Sequence, residues 1–375
     1  MKISCLQENL SHGLSLVSRA VATRSTYPLL SNVLMSTDNG RLRLSATNRE
    51  IGITCWIGAK VEEDGETTVP ARTFSDLVNI MPNGPVEMHL TTRTQTLNVK
   101  GGAYNNDIKC MDAYEFPILP VHDETPGVEL NVADLREMIN QVAFAAATDD
   151  ARPILTGVNV QLVGSEVTFA AADGFRLSVR TANLSTPVAE PISAIIPAKA
   201  LAELGRMLND EDTTVTMALP SDGQRVLFWL KDAQLVAQLL PGTFPDYRQL
   251  IPKESNTIAI IPTAGLRNAC KAADVFAREA ANTARFKIVP GAELMPGVIE
   301  VRANSNELGS NEVLVDANIE GNEVEIAFNV RYMLEVLNVI DTPNVELRAN
   351  TATSPGLIRP VGREDFVHVI MPMRL

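Results

Sequence analysis

The chain repeats itself three times with one period, and that repetition restricts its fold more than any other feature. Each repeat opens on a segment that reads as a helix: Leu6–Val21, Leu135–Thr148 and Leu266–Glu279. The second carries apolar residues at Leu135, Met138, Ile139, Val142 and Ala146. The third carries them at Leu266, Ala269, Cys270, Ala273 and Phe276. Both follow the i, i+3, i+4, i+7 spacing of a helix with one buried face. The first runs Leu6, Leu10, Leu14, Val17 and holds Gly13 midway, which weakens the helical signal there.

Strands with a shared core follow: Leu42–Asn48, Val167–Asp173 and Ile299–Ser305. A strand-like lead then runs into a second helix each time, at Thr68-Val69-Pro70-Ala71-Arg72, Ile195-Ile196-Pro197-Ala198-Lys199 and Ala327-Phe328-Asn329-Val330-Arg331. Pro70 and Pro197 suit a helix start, where a missing N–H costs nothing. Phe116-Pro117, Phe244-Pro245 and Met371-Pro372 close the repeats. The offsets agree: Leu6, Leu135 and Leu266 are 129 and 131 apart, Arg72, Lys199 and Arg331 are 127 and 132 apart, and Phe116, Phe244 and Met371 are 128 and 127 apart. Three homologous α+β domains are expected, at 1–124, 125–255 and 256–375, joined by polar, Pro-bearing segments at His122–Gly127 and Pro252–Asn256. Helices should cover one face of antiparallel sheets, since neither is stable uncovered. The pairs Asn39-Gly40, Asn83-Gly84 and Asp173-Gly174 are expected at tight turns between strands.

Composition narrows the function classes. The four cysteines (Cys5, Cys55, Cys110, Cys270) and four histidines (His12, His89, His122, His368) are scattered, so neither a CxxC pair nor a metal-binding cluster is read. No apolar run is long enough for a membrane span, and the N-terminus has no signal-peptide pattern, which points to the cytosol. There is no GxSxG, HExxH or Walker A loop, and the acidic residues sit singly, so no catalytic residue and no cofactor are expected. The net charge of −13 speaks against a generally DNA-binding surface, but net charge does not describe any one face. The six helical segments, 7–20, 71–81, 134–147, 198–209, 263–279 and 329–340, carry +1 between them, and the rest of the chain −14.

Several motifs make the chain similar to one family. They are Tyr27–Asn32, Thr68–Arg72, Ala172-Asp173-Gly174-Phe175-Arg176-Leu177, Phe244-Pro245-Asp246-Tyr247-Arg248 with Ile251-Pro252, Phe328–Tyr332, and the terminal Met371-Pro372-Met373-Arg374-Leu375. Across its whole length the chain resembles the β subunit of bacterial DNA polymerase III, the sliding-clamp family. The resemblance implies a head-to-tail homodimer forming a ring, with helices lining the hole and antiparallel sheets on the outer rim. The implied partners are duplex DNA held topologically and without sequence preference, a replicative DNA polymerase, a clamp loader that opens the ring with ATP, and repair and translesion proteins that dock short peptides. The competing reading is a peptide-binding scaffold of the same fold that never encircles DNA.

Under this resemblance the candidates for the DNA-facing lining are Arg19, Arg24, Arg72, Lys199, Arg206, Arg267, Lys271 and Arg278. Taken singly, each also reads as an ordinary solvated helix residue. Thr148, Asp149 and Asp150 stand where relatives are often polar or basic, which argues against a contact there. The implied peptide cleft comprises Arg152, Leu155, Asp173, Gly174, Phe175, Arg176 and Leu177; Pro245, Tyr247 and Leu250; and Pro355, Val369, Met371, Pro372 and Met373, with Arg374 nearby. Leucine, proline and methionine make an adaptable apolar groove able to accept several partners. Without the resemblance, Asp173-Gly174 is a hairpin turn, and Leu155, Leu177 and Met371 are core. Phe175 replaces a residue often smaller or polar in relatives. The dimer contact is implied at Ile108 and Val275, with Asn106 and Asp274 at positions often apolar elsewhere.

Overall fold

The computed structural model describes residues 1–120, 126–149, 151–209, 211–220, 223–292 and 295–374. Its elements recur in three runs of like order. The first is β1 (Lys2–Leu6), α1 (Gln7–Val17), β2 (Asn32–Asp38), β3 (Arg41–Thr47), β4 (Ile51–Glu63), β5 (Glu66–Pro70), α2 (Ala71–Ile80), β6 (Pro85–Thr91), β7 (Thr96–Gly101) and β8 (Tyr104–Lys109). The second is β9 (Gly127–Asn131), α3 (Val132–Val142), β10 (Gly157–Val163), β11 (Glu166–Ala172), β12 (Arg176–Asn183), β13 (Ile192–Pro197), α4 (Ala198–Met207), β14 (Thr214–Ala218), β15 (Arg225–Trp229) and β16 (Ala233–Gln238). The third is β17 (Thr257–Pro262), α5 (Thr263–Ala277), β18 (Thr283–Val289), β19 (Gly297–Ser305), β20 (Gly309–Gly321), β21 (Val324–Asn329), α6 (Val330–Val339), β22 (Asn344–Ala349), β23 (Gly356–Pro360) and β24 (Phe366–Ile370).

Each of the six helical segments read from the sequence contains an α-helix here, but two are shorter than expected: α1 ends at Val17 and α3 at Val142, and the chain continues as 3₁₀ turns at Ser18–Ala20 and Ala143–Ala145. The α3 helix starts two residues early because the Asn131 side chain accepts the Ala133 amide at 2.9 Å. Asn329 does the same for Arg331 at the start of α6. Packing accounts for Gly13: a Cβ there would lie 3.0 Å from Leu44 and 3.1 Å from Ile57, so any larger residue would push those side chains back as α1 lies on its sheet. The Asn39-Gly40 pair turns β2 into β3 with positive φ at both residues, and Gly174 (φ +92°) lies between β11 and β12. The expectation for Asn83-Gly84 needs correcting. Gly84 has φ +139°, but it joins α2 to β6, so the turn redirects a helix exit and links no two strands.

The chain forms two compact units. The first contains residues 1–133 and 203–239, the second 134–202 and 240–375. The sheet of the first unit runs β8-β7-β6-β1-β4-β16-β15-β14-β9, with β2, β3 and β5 attached through β4. Its core is mostly aliphatic: Leu10, Leu14 and Val17 of α1 and Leu42, Leu44 and Ile53 of the strands are buried, together with Phe74 and Val78 of α2. The sheet of the second runs β13-β10-β11-β12-β24-β23-β22-β17-β20-β19-β18-β21. One buried cluster there joins α5 and α6 residues such as Leu266, Cys270, Met333 and Leu337 to Phe286, Phe328 and Phe366.

The middle run is therefore shared. Its β16 pairs antiparallel with β4 of the first run, and its β12 pairs antiparallel with β24 of the third. The joint expected at His122–Gly127 falls largely outside the described residues, since 121–125 are not among them, and so does Asp150. All four cysteines are buried and unpaired, and burial pushes the Cys5 and Cys55 thiols up to about 12. Among the described residues no helix is long and apolar enough to cross a membrane, and no three metal-ligating side chains gather.

Candidate functional site

Every residue of the implied cleft lies in the second unit, where the β12–β24 ladder joins Arg176–Arg180 to Phe366–Ile370. In that ladder Leu177 stands opposite Val369. Side chains alternate along a strand, so β12 presents two chemically different faces. Leu177 and Val179 point to one side and join Ala170, Ala172, Val369 and Tyr247 in a buried cluster flanked by Phe244 and Ile251. Tyr247 packs edge-on against Phe244 with ring centroids 6.2 Å apart. The 3₁₀ turn Arg248–Leu250 follows, and its Leu250 is 47% exposed. Pro245 just before it is exposed too.

The hairpin tip Asp173–Phe175 forms one end of this ladder. The Asp173 carboxylate accepts the amides of Phe175 at 2.8 Å and Arg176 at 3.0 Å, which fixes the tip. Arg152 donates to the Asp173 carbonyl at 2.7 Å, and a Cβ on Gly174 would lie 2.5 Å from its guanidinium. The φ of +92° at Gly174 favours glycine there, and a Cβ would also push the Arg152 guanidinium aside. The Phe175 carbonyl accepts the Met371 amide at 2.8 Å, extending the ladder past β24, while its ring stays 57% exposed. Gly356 pairs with Ile370, which sets Pro355 beside the start of the terminal segment. Met373 donates to the Ala327 carbonyl at 2.8 Å, so the last methionines are tied back to β21. Met371, Pro372 and Met373 are half-buried, and Arg374 is exposed. Leu155 is buried on the 3₁₀ turn Pro153–Thr156, where its carbonyl accepts the Ala147 amide.

The other face of β12 carries Arg176, Ser178 and Arg180, an environment the sequence reading did not anticipate. Arg176 lies among Asp173, Glu335, Phe144 and Tyr332 and is 8% exposed. Ser178 bonds the fully buried His368 at 2.6 Å, and His368 stacks on Phe144. Burial first, and then the Arg176 charge, push the His368 imidazole down to about 3, so it is neutral. Arg180 reaches Glu137 of α3 at 3.0 Å and pairs with Asp365. The one available signal was the run Arg176, Ser178, Arg180 alternating with Leu177 and Val179: three polar residues on one face of a strand that is buried on both.

The basic candidates divide by environment. In the first unit, Arg19 pairs with Glu203 at 3.3 Å, Arg206 also pairs with Glu203, Arg72 lies 3.8 Å from Asp76, and Arg24 is exposed. In the second, Lys199 and Lys271 are exposed, and Arg278 pairs with Asp274 at 3.0 Å. Arg267 differs from the rest. It donates to the Leu337 carbonyl at 3.0 and 2.6 Å and to the Ile340 carbonyl at 3.2 Å, so it serves the end of α6. It also lines a groove of about 460 Å³ with Thr263, Asn338 and Pro343. Of the two interface candidates, Val275 is 50% exposed in the second unit, while Ile108 is already buried within the first at 7%.

Comparison with known proteins extends this picture to the whole chain. Models of the DNA polymerase III beta subunit match it in order: the N-terminal domain over 1–120, the central domain over 129–246 and the C-terminal domain over 248–374. The beta sliding clamp of Synechococcus elongatus is 34% identical and that of Bacillus subtilis 31%, each with both chains fully covered. The crystal structure of the Bacillus subtilis sliding clamp superposes with a TM-score of 0.93 at 30% identity, covering 100% of this chain and 99% of that one. A sliding clamp of Pseudomonas aeruginosa bound to griselimycin gives 0.92 at 28% identity, with both chains fully covered.

Proposed function

Because the chain belongs to the DNA polymerase III beta subunit family, the bacterial sliding clamps, we propose that it works as a head-to-tail homodimer closed around duplex DNA. It is a processivity factor of replication, and the catalytic work belongs to the polymerase it tethers. The observation that carries this reading is the end-to-end match to all three family domains in a chain whose own elements recur three times. The proposed domains are 1–124, 125–255 and 256–375, with α1 to α6 lining the hole and the sheets forming the rim. The protein acts in the cytoplasm, where the chromosome is.

Open strand edges support the closure. The β8 strand pairs with β7 alone, and residues 309–317 of β20 pair with β19 alone among the described residues. Each leaves a row of backbone groups for a second copy to satisfy. The near-neutral helices support a hole that tolerates phosphate without gripping it, as sliding requires. The exposed Phe175, Pro245 and Leu250 and the half-buried terminal methionines, next to the buried cluster of Leu177, Val369 and Tyr247, support docking of short peptides from the polymerase, the clamp loader, and repair and translesion proteins.

The test is topological. The protein is loaded onto nicked circular DNA by a compatible clamp loader with ATP, washed in high salt, and the circle is then cut. Retention on the circle and loss after cutting is the expected result, because salt weakens phosphate contacts but not a link. Release from the intact circle in salt would replace the ring with a scaffold of the same fold that does not encircle DNA.

A further inference from the structure

We infer that Arg176 is the positioning residue of the cleft: it ties the Asp173–Phe175 hairpin to α6 from behind the β12–β24 ladder and does not touch the docked peptide. The inference rests on the cleft reading above and deepens it. The Arg176 side chain leaves β12 on the face opposite Leu177, away from Tyr247 and Val369. Its Nε lies 3.1 Å from Asp173, one Nη pairs with Glu335 of α6, and the other donates to the Phe144 carbonyl at 2.7 Å. Its Cζ lies 4.3 Å from the Tyr332 ring centroid and 5.3 Å from that of Phe144. A planar fork with three acceptors and two aromatic neighbours suits arginine alone, since lysine offers one point charge and no flat face.

The consequences run outward from there. Asp173, held by Arg176 through one oxygen, holds the Phe175 and Arg176 amides through the other. Phe175 in turn holds Met371 through its carbonyl. A continuous path of short contacts therefore leads from Tyr332 and Glu335, which belong to none of the cleft segments, to the hairpin tip and the terminal methionines. Arg152 braces the same tip independently, at the Asp173 carbonyl.

The test uses the full-length protein and a fluorescein-labelled ten-residue peptide ending in Leu-Phe, with affinity read by anisotropy and amide exchange read at residues 173–176. Arg176→Lys and Tyr332→Leu are each expected to weaken the peptide about tenfold and to speed exchange at Phe175 and Arg176, with the double variant little weaker than either single one. Glu335→Gln should act in the same direction. If Tyr332→Leu left affinity and exchange unchanged while Arg176→Lys weakened binding, Arg176 would be a direct peptide contact and the inference would fall. Multiplying effects in the double variant would also overturn it. Should Arg176→Lys fail to fold, Tyr332→Leu and Glu335→Gln carry the same test. Leu177→Ala with Met373→Ala separates the two claims. If that variant bound the peptide normally, the cleft reading would fail, and amide exchange alone would decide the role of Arg176.

Discussion

Arg363 grips both oxygens of Glu137 across 226 residues of sequence, at 2.6 and 3.1 Å. It also reaches Asp365 at 3.1 and 3.2 Å, and the nearly inaccessible Arg180 joins the same two carboxylates. The network pins α3 to the turn before β24, at the Arg180–Phe366 end of the β12–β24 ladder. Burial alone would raise Glu137 and Asp365, but the hydrogen bonds from Arg363 and the neighbouring arginine charges outweigh it, and both carboxyls lie below their ordinary values. Groups with lowered folded pKa stabilise the fold above their unfolded values, about 4, and lose that contribution as the pH falls through the folded ones. Glu137→Gln should therefore flatten the acid limb of a Tm-against-pH curve. At neutral pH it should cost about 1–3 kcal/mol, the partial exposure of Glu137 reducing the effect of stranding Arg180. Parallel curves for the two proteins would show that the network does not govern acid stability.

His368 should stay neutral through the physiological range. Its folded pKa is pushed down to about 3, below an unfolded value of about 6.5, so the unfolded chain binds more protons between those values. The sign is then a loss of stability as pH falls below about 6.5. The imidazole resonances of His368 are expected not to shift between about pH 5 and 8. A midpoint near the ordinary value would show that water reaches the Ser178–His368 pair.

Gly174→Ala tests the hairpin tip. A residue with a Cβ is strained at φ +92°, and the new atom meets the Arg152 guanidinium. The fold is expected to lose about 1–2 kcal/mol, read by denaturant unfolding. Peptide affinity should fall as well, because Arg152 is pushed off the Asp173 carbonyl. Full stability would mean that the hairpin relaxes to another turn.

Arg267 and Lys271 sit one turn apart on α5 and should behave oppositely. Arg267→Gln removes donors from the end of α6 and is expected to lower stability by about 1–2 kcal/mol. Lys271→Gln on the exposed face should leave stability within about 0.5 kcal/mol while weakening residence on DNA. Thermal melts of both variants decide between a capping and a surface role.

Phe175 offers a specificity test. Its backbone is fixed at both N and O, so an exposed ring can be exchanged without moving the hairpin. Phe175→Ser should change stability by less than about 0.5 kcal/mol and weaken an aromatic-ended peptide by about 1 kcal/mol. Equal affinity in both proteins would place the peptide away from the ring.

Helix positions were legible because apolar periodicity is local: Leu135 to Ala146 and Leu266 to Phe276 announce one buried face whatever lies beneath it. The cleft was legible only through the family resemblance. Leu155, Leu177 and Met371 read equally well as ordinary core, and in the fold Leu177 is packed in a buried cluster with Val369 and Tyr247. Arg176 was legible as a cleft residue by position and illegible in direction, because a strand buried on both sides gives no sign of which face meets the groove.

By itself the sequence determined the threefold repeat, the six helices and the tight turn at Asn39-Gly40, all set by interactions within a few residues. Tertiary structure alone decided the rest. It paired β16 with β4 and β12 with β24, it assigned Arg267 to the end of α6, and it brought Tyr332 and Glu335, more than 150 positions away, against Arg176. The physical reason is the same in each case. A strand edge or a buried charge is stable only when distant backbone or side-chain groups satisfy it, and which groups those are is settled when the sheets assemble.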